Sequence, residues 1–321
     1  MGWLHLYQSS MPLSAQTRYR PEKVSAGAIA SISKLCDALD VTMGELNTAL
    51  ALPASERYKA PKEPQYKKDG TVRTIFNPCT LLRKIQRRMN RRIFSNENIL
   101  AWPDHLYGSI PSTERHPSDY VACASRHCGA KSIAKLDIKN FFDNIGLERT
   151  RKVFREVLDM PSEVAIAAAD LCCLDGRVPQ GALTSSYIAS LCLFDCEDRI
   201  VRRLEDKGLT YTRLVDDITI SSKVANYDFS HAIRVVTAML DDAGLPLNSD
   251  KENIQYASSN ALTVHGLRVS FSTPRLPSDE VRRIRAAVQN LEKVAAEPGY
   301  RCARGYRADF NRCMGRVNKL S

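Results

Sequence analysis

Two adjacent carboxylates, Asp216 and Asp217, sit between short apolar runs in Thr210-Tyr211-Thr212-Arg213-Leu214-Val215-Asp216-Asp217-Ile218-Thr219-Ile220-Ser221. The flanking residues are largely β-branched or aromatic, which favours two strands joined by a tight turn. Acids at the tip of such a hairpin repel each other and call for a compensating cation. A divalent metal is the usual one, and a pair of metals about 3.5–4 Å apart is the working centre of polymerases. Taken alone, the same residues also make an ordinary polar turn.

Two further segments shift that balance. Lys135-Leu136-Asp137-Ile138-Lys139-Asn140-Phe141-Phe142-Asp143-Asn144-Ile145 reads as a strand ending in Asp137, followed by two aromatics and a turn. It adds a third carboxylate of the kind that holds two metals, one to activate an attacking hydroxyl and one to neutralise departing pyrophosphate. In Arg177-Val178-Pro179-Gln180-Gly181-Ala182-Leu183-Thr184-Ser185-Ser186, Pro179 and Gly181 shape a turn into a helix. Exposed N–H groups at such a helix start favour phosphate or a nucleotide. A plain helix capped by Thr184 or Ser185 fits the segment equally well.

The elements that must position these residues follow from periodicity. Ile29, Ile32, Leu35, Leu39, Met43, Leu46 and Leu50 recur at helical spacing over 22–52, before a linker marked by Pro53, Pro61 and Pro64. Tyr66 to Phe76 reads as a hairpin turning at Asp69-Gly70. A helix from Leu81 carries Leu82, Ile85, Met89 and Ile93 on one side. Arg83, Lys84, Arg87, Arg88, Arg91 and Arg92 fill the other; six cations without an acid point to a phosphate backbone, although a solvated face has the same composition. Further helices are expected over 148–174, 184–204 and 229–243, with a strand pair over 261–271 and a helical region from Ser278 onward.

Composition sets the outer limits. The 321 residues are 44% hydrophobic and 26% charged, enough for two or three packed subdomains. A net charge of +10 makes a polyanion the first partner to consider, and residues 279–321 alone carry ten Lys/Arg against five Asp/Glu. No apolar run reaches transmembrane length, and Met1 to Gln16 lacks the pattern of a secretory signal, so a cytoplasmic protein without membrane association is expected. Its ten cysteines then read as free thiols. Cys123, His127 and Cys128 have the residue types of zinc ligands, but no second Cys-x-x-Cys pair completes a set of four.

The order of these parts resembles a reverse transcriptase from about Arg73 to Ser270: basic hairpin and helix, strand-Asp with two Phe, Pro-Gln-Gly, then the Asp-Asp hairpin. The resemblance implies an α+β right-hand polymerase fold. A helical N-terminal segment would span 1–60, fingers and palm 61–272, and a basic helical thumb 273–321. It makes Asp137, Asp216 and Asp217 the catalytic carboxylates and the ligands of two Mg²⁺ ions. Lys67, Lys68 and Arg73 would hold the triphosphate, and Phe142 would fall where the family places its sugar gate. Gln180 and Gly181 would line the nucleotide and template pocket. Lys251 resembles the lysine that protonates pyrophosphate, although a surface lysine fits as well.

Compact size and two local motifs narrow the resemblance to retron reverse transcriptases of bacteria. Val264-His265-Gly266 resembles the retron Val-Thr-Gly motif, and Gly108 to His116 occupies the place of the Asn-Ala-x-x-His motif. This implies RNA or primer contacts at Arg83, Arg87, Arg88, Arg91, His116, Val264, His265 and Gly266. It also implies dNTPs, a structured non-coding RNA serving as template and primer, a branched single-stranded DNA product, and an effector protein in antiphage defence. The chain departs from the pattern at Leu214, where the family has Tyr, at Leu183 and Ser186, where prolines are common, and at His265, in place of Thr. Three other readings stay open: a non-retron bacterial or group II intron-like reverse transcriptase, a non-catalytic RNA-binding scaffold, and another palm-type enzyme such as a nucleotide cyclase.

Overall fold

In the computed structural model, which describes residues 17–59, 65–66, 70, 72–114 and 116–318, the runs around the three aspartates form the middle of one antiparallel sheet. Its strands are β1 (Leu106–Tyr107), β2 (Ser132–Asp137), β3 (Leu209–Leu214), β4 (Asp217–Ser222) and β5 (Asn253–Tyr256), in spatial order 5-2-4-3-1. β4 lies between β2 and β3, with Asp217 opposite Asp137 on one side and opposite Leu214 on the other. The hairpin expected over 210–221 is therefore formed, closed by a two-residue turn, Val215-Asp216.

The chain divides into two compact units, each built from two stretches: Met1–Leu106 with Asn140–Arg202, and Tyr107–Lys139 with Arg203–Ser321. In the second unit Ala124, Ile133, Leu262, Val264, Leu267 and Val269 form a buried apolar cluster beside the sheet. The pair Thr263–Val264 and Leu267–Arg268 makes a short hairpin, as the sequence pattern predicts. The basic tail is two helices in mutual contact, Ser278–Ala295 and Arg304–Val317, interrupted near Pro298-Gly299, where Gly299 takes φ +78°.

The first unit is organised around the helix Thr80–Met89, which buries Leu82, Ile85, Gln86 and Met89. Fully buried Gln86 satisfies its amide by donating to the Tyr58 hydroxyl and the Leu171 carbonyl, each at 2.8 Å. Its oxygen accepts from the Leu183 N–H at 3.1 Å. Several expected long helices are broken by local chemistry. The 22–52 stretch holds two helices, Ile32–Leu39 and Met43–Ala51, because Asp40 turns left-handed at φ 54° and Thr42 starts afresh with a capping box to Glu45. The 148–174 stretch breaks at Asp159 (φ 52°) ahead of Pro161.

All ten cysteines are free thiols, and Cys302, between the two tail helices, is the one that stands exposed. No helix among the described residues is long and apolar enough to cross a membrane.

Candidate active site

The antiparallel register places Asp137 and Asp217 as direct cross-strand partners, with Asp216 in the turn beside them. Like charges opposed in this way are destabilising. Their repulsion is visible in Asp217: burial, then the neighbouring Asp216 and Asp137, push its carboxyl up from 3.8 to about 6. Two lysines moderate it. Lys251 donates to both oxygens of Asp137, at 2.9 Å each, and the pairing holds the ammonium above its ordinary pKa. Half-buried Lys135 donates to the Thr263 hydroxyl at 3.3 Å, and burial lowers its pKa. Asn248 donates to the second oxygen of Asp137 at 3.3 Å, and its backbone N–H to the Asp137 carbonyl at 2.8 Å.

The turn that carries Asp216 is held from several sides. Val215 has φ +60° and is the one member of the two-residue turn with positive φ, a type II′ pattern in which glycine is the usual occupant. A β-branched residue there costs about 1–3 kcal/mol and persists only where the surroundings impose it. The guanidinium of fully buried Arg213 donates to the Val215 carbonyl at 2.9 Å. The Ile138 N–H donates to the Asp216 carbonyl at 3.1 Å.

Behind the hairpin runs a chain of polar side chains that sequence reasoning left without a role. Both ring nitrogens of buried His127 pair at 2.7 Å, Nδ1 with the Ser221 hydroxyl and Nε2 with the Thr212 hydroxyl. The Cys123 thiol lies 3.3 Å from Thr212 Oγ1 and 3.3 Å from His265 Nε2, and His265 Nδ1 faces Asp217 Oδ2 at 4.0 Å. Burial drives His127 down to about 3 and His265 down to about 4, so both rings are neutral near pH 7. The zinc-like residue types at Cys123 and His127 are thus engaged with hydroxyls of β3 and β4. The sequence signal was a run of hydroxyls on one face of the two strands, Thr210 and Thr212 on β3 and Thr219 and Ser221 on β4, of which Thr212, Thr219 and Ser221 are buried and need partners.

The donor types suit a hard divalent cation: three neighbouring carboxylates, an excess of negative charge, and a lysine ammonium seated on one of them. Among the described residues no group of three or more His, Cys, Asp or Glu side chains is arranged to hold a metal ion. Lys251 instead occupies both oxygens of Asp137.

Other sequence-selected residues lie in the first unit. Phe142 is half-buried on the short helix Phe141–Asn144, its ring 5.9 Å from that of Phe141. The Phe76 N–H donates to the Gln180 carbonyl at 2.8 Å, and Gly181 takes φ +101°. A Cβ on Gly181 would come within 2.5 Å of Ile75 Cγ2 and 2.8 Å of the Phe76 carbonyl, so glycine is required for this approach. Arg73 pairs with Gln65 in the basic hairpin, while Lys67 and Lys68 lie outside the described residues.

Two expectations need correction. The six-cation face of the Thr80–Met89 helix and its continuation is divided: Lys84 pairs with Glu45, and Arg88 and Arg92 both reach Asp40, at 3.2 and 3.3 Å. Arg83, Arg87 and Arg91, four residues apart, are the exposed ones. Arg88 is therefore tied into the N-terminal helices. Val264 is fully buried in the apolar cluster, so its side chain cannot meet RNA in this fold, whereas Gly266 at the adjoining turn is exposed. His116 stacks near Tyr107, ring centroids 5.0 Å apart, and its N–H donates to Thr113 Oγ1 at 2.9 Å.

Residues 65–282 match the family model described as reverse transcriptase (RNA-dependent DNA polymerase). The retron Ec48 reverse transcriptase of Escherichia coli is 46% identical over 308 residues, covering 94% of this chain and 74% of that one. The chain belongs to the retron reverse transcriptases. It is an RNA-directed DNA polymerase, and the α+β polymerase fold expected from the motif order is the fold of its family. The retron Se72 reverse transcriptase of Salmonella heidelberg is 33% identical over 258 residues, 79% of this chain and 65% of that one. Among solved structures, apo telomerase from Candida tropicalis, truncated from the C-terminal domain, aligns over 71% of this chain and 56% of its own. Its TM-score is 0.45 at 12% identity. Divalent metal ions are general to reverse transcriptases, in keeping with the donor set around Asp137 and Asp217.

Proposed function

We propose that this retron reverse transcriptase binds a cognate structured non-coding RNA and extends DNA from it, giving branched single-stranded DNA joined to RNA. The observation that carries the reading is the opposition of Asp137 and Asp217 across β2 and β4 with Asp216 at the turn, a charge excess that a lysine only partly offsets. Asp137 and Asp216 are the principal metal ligands and Asp217 the supporting one. Bound as a pair, Mg²⁺ would lower the pKa of the attacking hydroxyl and neutralise the pyrophosphate charge. Lys251 keeps its proton on Nζ at neutral pH and is the donor to the departing pyrophosphate.

In the same reading Phe142 excludes the ribose 2′-hydroxyl, and Gln180 and Gly181 line the nucleotide pocket. Arg73, Lys67 and Lys68 bind the triphosphate, a task suited to guanidinium and ammonium donors. Exposed Arg83, Arg87 and Arg91 track the RNA backbone, with His116, His265 and Gly266 contributing contacts. The basic tail helices form the thumb. The setting is the bacterial cytoplasm, in an antiphage module with an effector protein.

The test is purified protein with its co-expressed RNA, supplied with labelled dNTPs and Mg²⁺. Asp216→Asn and Asp217→Asn should abolish incorporation while RNA stays bound. Variants as active as the parent would remove the two-metal assignment. Sequencing the co-purifying nucleic acid should yield short DNA covalently joined to RNA, and unlinked products would exclude the branched product.

A further inference from the structure

Gly108 opens the loop that follows β1, and it lies directly against the turn between β3 and β4. It takes φ +97°, and a Cβ built there would stand 3.0 Å from Val215 Cγ2, 3.3 Å from Leu214 Cγ and 3.5 Å from Leu214 Cδ2. Contacts of 3.0–3.4 Å force a neighbour to give way by a few tenths of an ångström. The loop is poorly placed to do so. The Gly108 N–H donates to the Ser118 carbonyl at 2.6 Å, the Gly108 carbonyl accepts from Ile110 at 2.8 Å, and the Ser118 hydroxyl closes onto the Ile110 carbonyl at 2.9 Å. On the opposite side, Arg213 holds the Val215 carbonyl and Ile138 the Asp216 carbonyl.

The turn is thus gripped by hydrogen bonds at its backbone and by a side-chain-free surface under Leu214 and Val215. We propose that Gly108 is a positioning residue for polymerisation: by carrying no side chain it seats Leu214 and Val215, and so sets where the Asp216 and Asp217 carboxylates stand. The missing Cβ leaves the notch that the branched Leu214 and Val215 side chains enter. Leu214, which stands in place of the family's Tyr, is therefore part of a matched pair with Gly108. The inference rests on the assignment of Asp216 and Asp217 as catalytic carboxylates.

Displacing reacting groups by 1 Å costs about 100-fold in rate, so a shift of a few tenths is worth roughly four- to tenfold. The experiment is a double-mutant cycle on the full chain, using an RNA template annealed to a DNA primer. It reads kcat, KM for dNTP, the Mg²⁺ concentration giving half-maximal rate, and the Mg²⁺-induced thermal shift without nucleotide. Gly108→Ala should lower kcat about four- to tenfold, weaken the thermal response to Mg²⁺ and leave KM for dNTP within about twofold. Gly129→Ala is the control, since Gly129 has a similar φ of +78° with nothing within 4 Å of its Cβ site. It should keep the parent's kcat and Mg²⁺ response.

In a Val215→Ala background, which removes the nearest clashing methyl and leaves only the 3.3 Å approach to Leu214 Cγ, Gly108→Ala should cost clearly less than in the parent, a coupling that separates contact from general instability. Equal losses from Gly108→Ala in both backgrounds, or an equal loss from Gly129→Ala, would overturn the proposal. If Gly108→Ala fails to fold, the double variant decides: folded with a kcat near that of Val215→Ala supports the seat, and folded but about four- to tenfold slower refutes it. Asp217→Asn in the same assay tests the underlying assignment separately, because activity in that variant would remove the carboxylate reading whatever happens at Gly108.

Discussion

Removing one charge from the carboxylate cluster should stabilise the fold while it destroys activity. Asp217 carries a carboxyl raised from 3.8 to about 6, roughly two units, and each unit corresponds to about 1.4 kcal/mol between protonation states. That sets a ceiling of about 3 kcal/mol for the penalty of ionising Asp217 in the folded protein. Its side chain is 52% exposed, so solvent screening brings the figure to about 1 kcal/mol. The sign follows from linkage. A carboxyl raised in the folded state favours folding while protonated, so its penalty is absent below about pH 4, grows between about pH 4 and 6, and is complete above. In EDTA at pH 7.5, Asp217→Asn should therefore melt about 1–2 °C above the parent by scanning calorimetry. The advantage should vanish near pH 4. Millimolar Mg²⁺ should raise the parent's Tm more than the variant's. Taking the difference at each pH cancels buried His127, whose depressed pKa destabilises both proteins as pH falls below about 6.5. A variant that melts at or below the parent at pH 7.5, or by the same margin above it at pH 4, would refute the repulsion argument.

Other outcomes follow from the same structure. Phe142→Ala should raise ribonucleotide incorporation by at least tenfold in a competition assay, and unchanged sugar selectivity would remove Phe142 from the gate. Arg83→Ala, Arg87→Ala and Arg91→Ala should each lower the slope of log affinity against log salt for RNA by about one unit or less. Arg88→Ala should instead lower thermal stability with little change in that slope, because its partner is Asp40. His127→Leu, which strands the Ser221 hydroxyl and leaves Thr212 only the Cys123 thiol, should cost about 2–4 kcal/mol in urea unfolding.

Contiguous signals are legible in this sequence, and spatial ones are not. The β3–β4 hairpin was legible because alternating β-branched residues flank a two-residue turn, and Asp137 was legible as the end of an apolar strand. The opposition of Asp137 to Asp217 depends on a register that no local pattern records. The same holds for Lys251 on Asp137, 114 positions away, and for His127 bridging two strands. The basic helix misled in part because composition shows cations but not Asp40 and Glu45, which approach from helices some forty residues upstream. Val264 looked like part of an RNA-facing motif, yet strand alternation turned its side chain into the core. The strain at Val215 and the seat at Gly108 were invisible, since the sequence pattern does not say which of two turn residues takes positive φ.

One consequence concerns how this enzyme can be watched. Nine of the ten thiols lie in or partly within the packed interior, where burial holds Cys123 and Cys196 at about 12 and raises Cys128. Cys302 stands open in the bend between the two basic tail helices. A maleimide dye applied briefly at neutral pH should therefore mark this bend first, with no cysteine removed by mutation. The unaltered chain thus carries its own attachment point for a fluorescent reporter on the segment assigned as thumb.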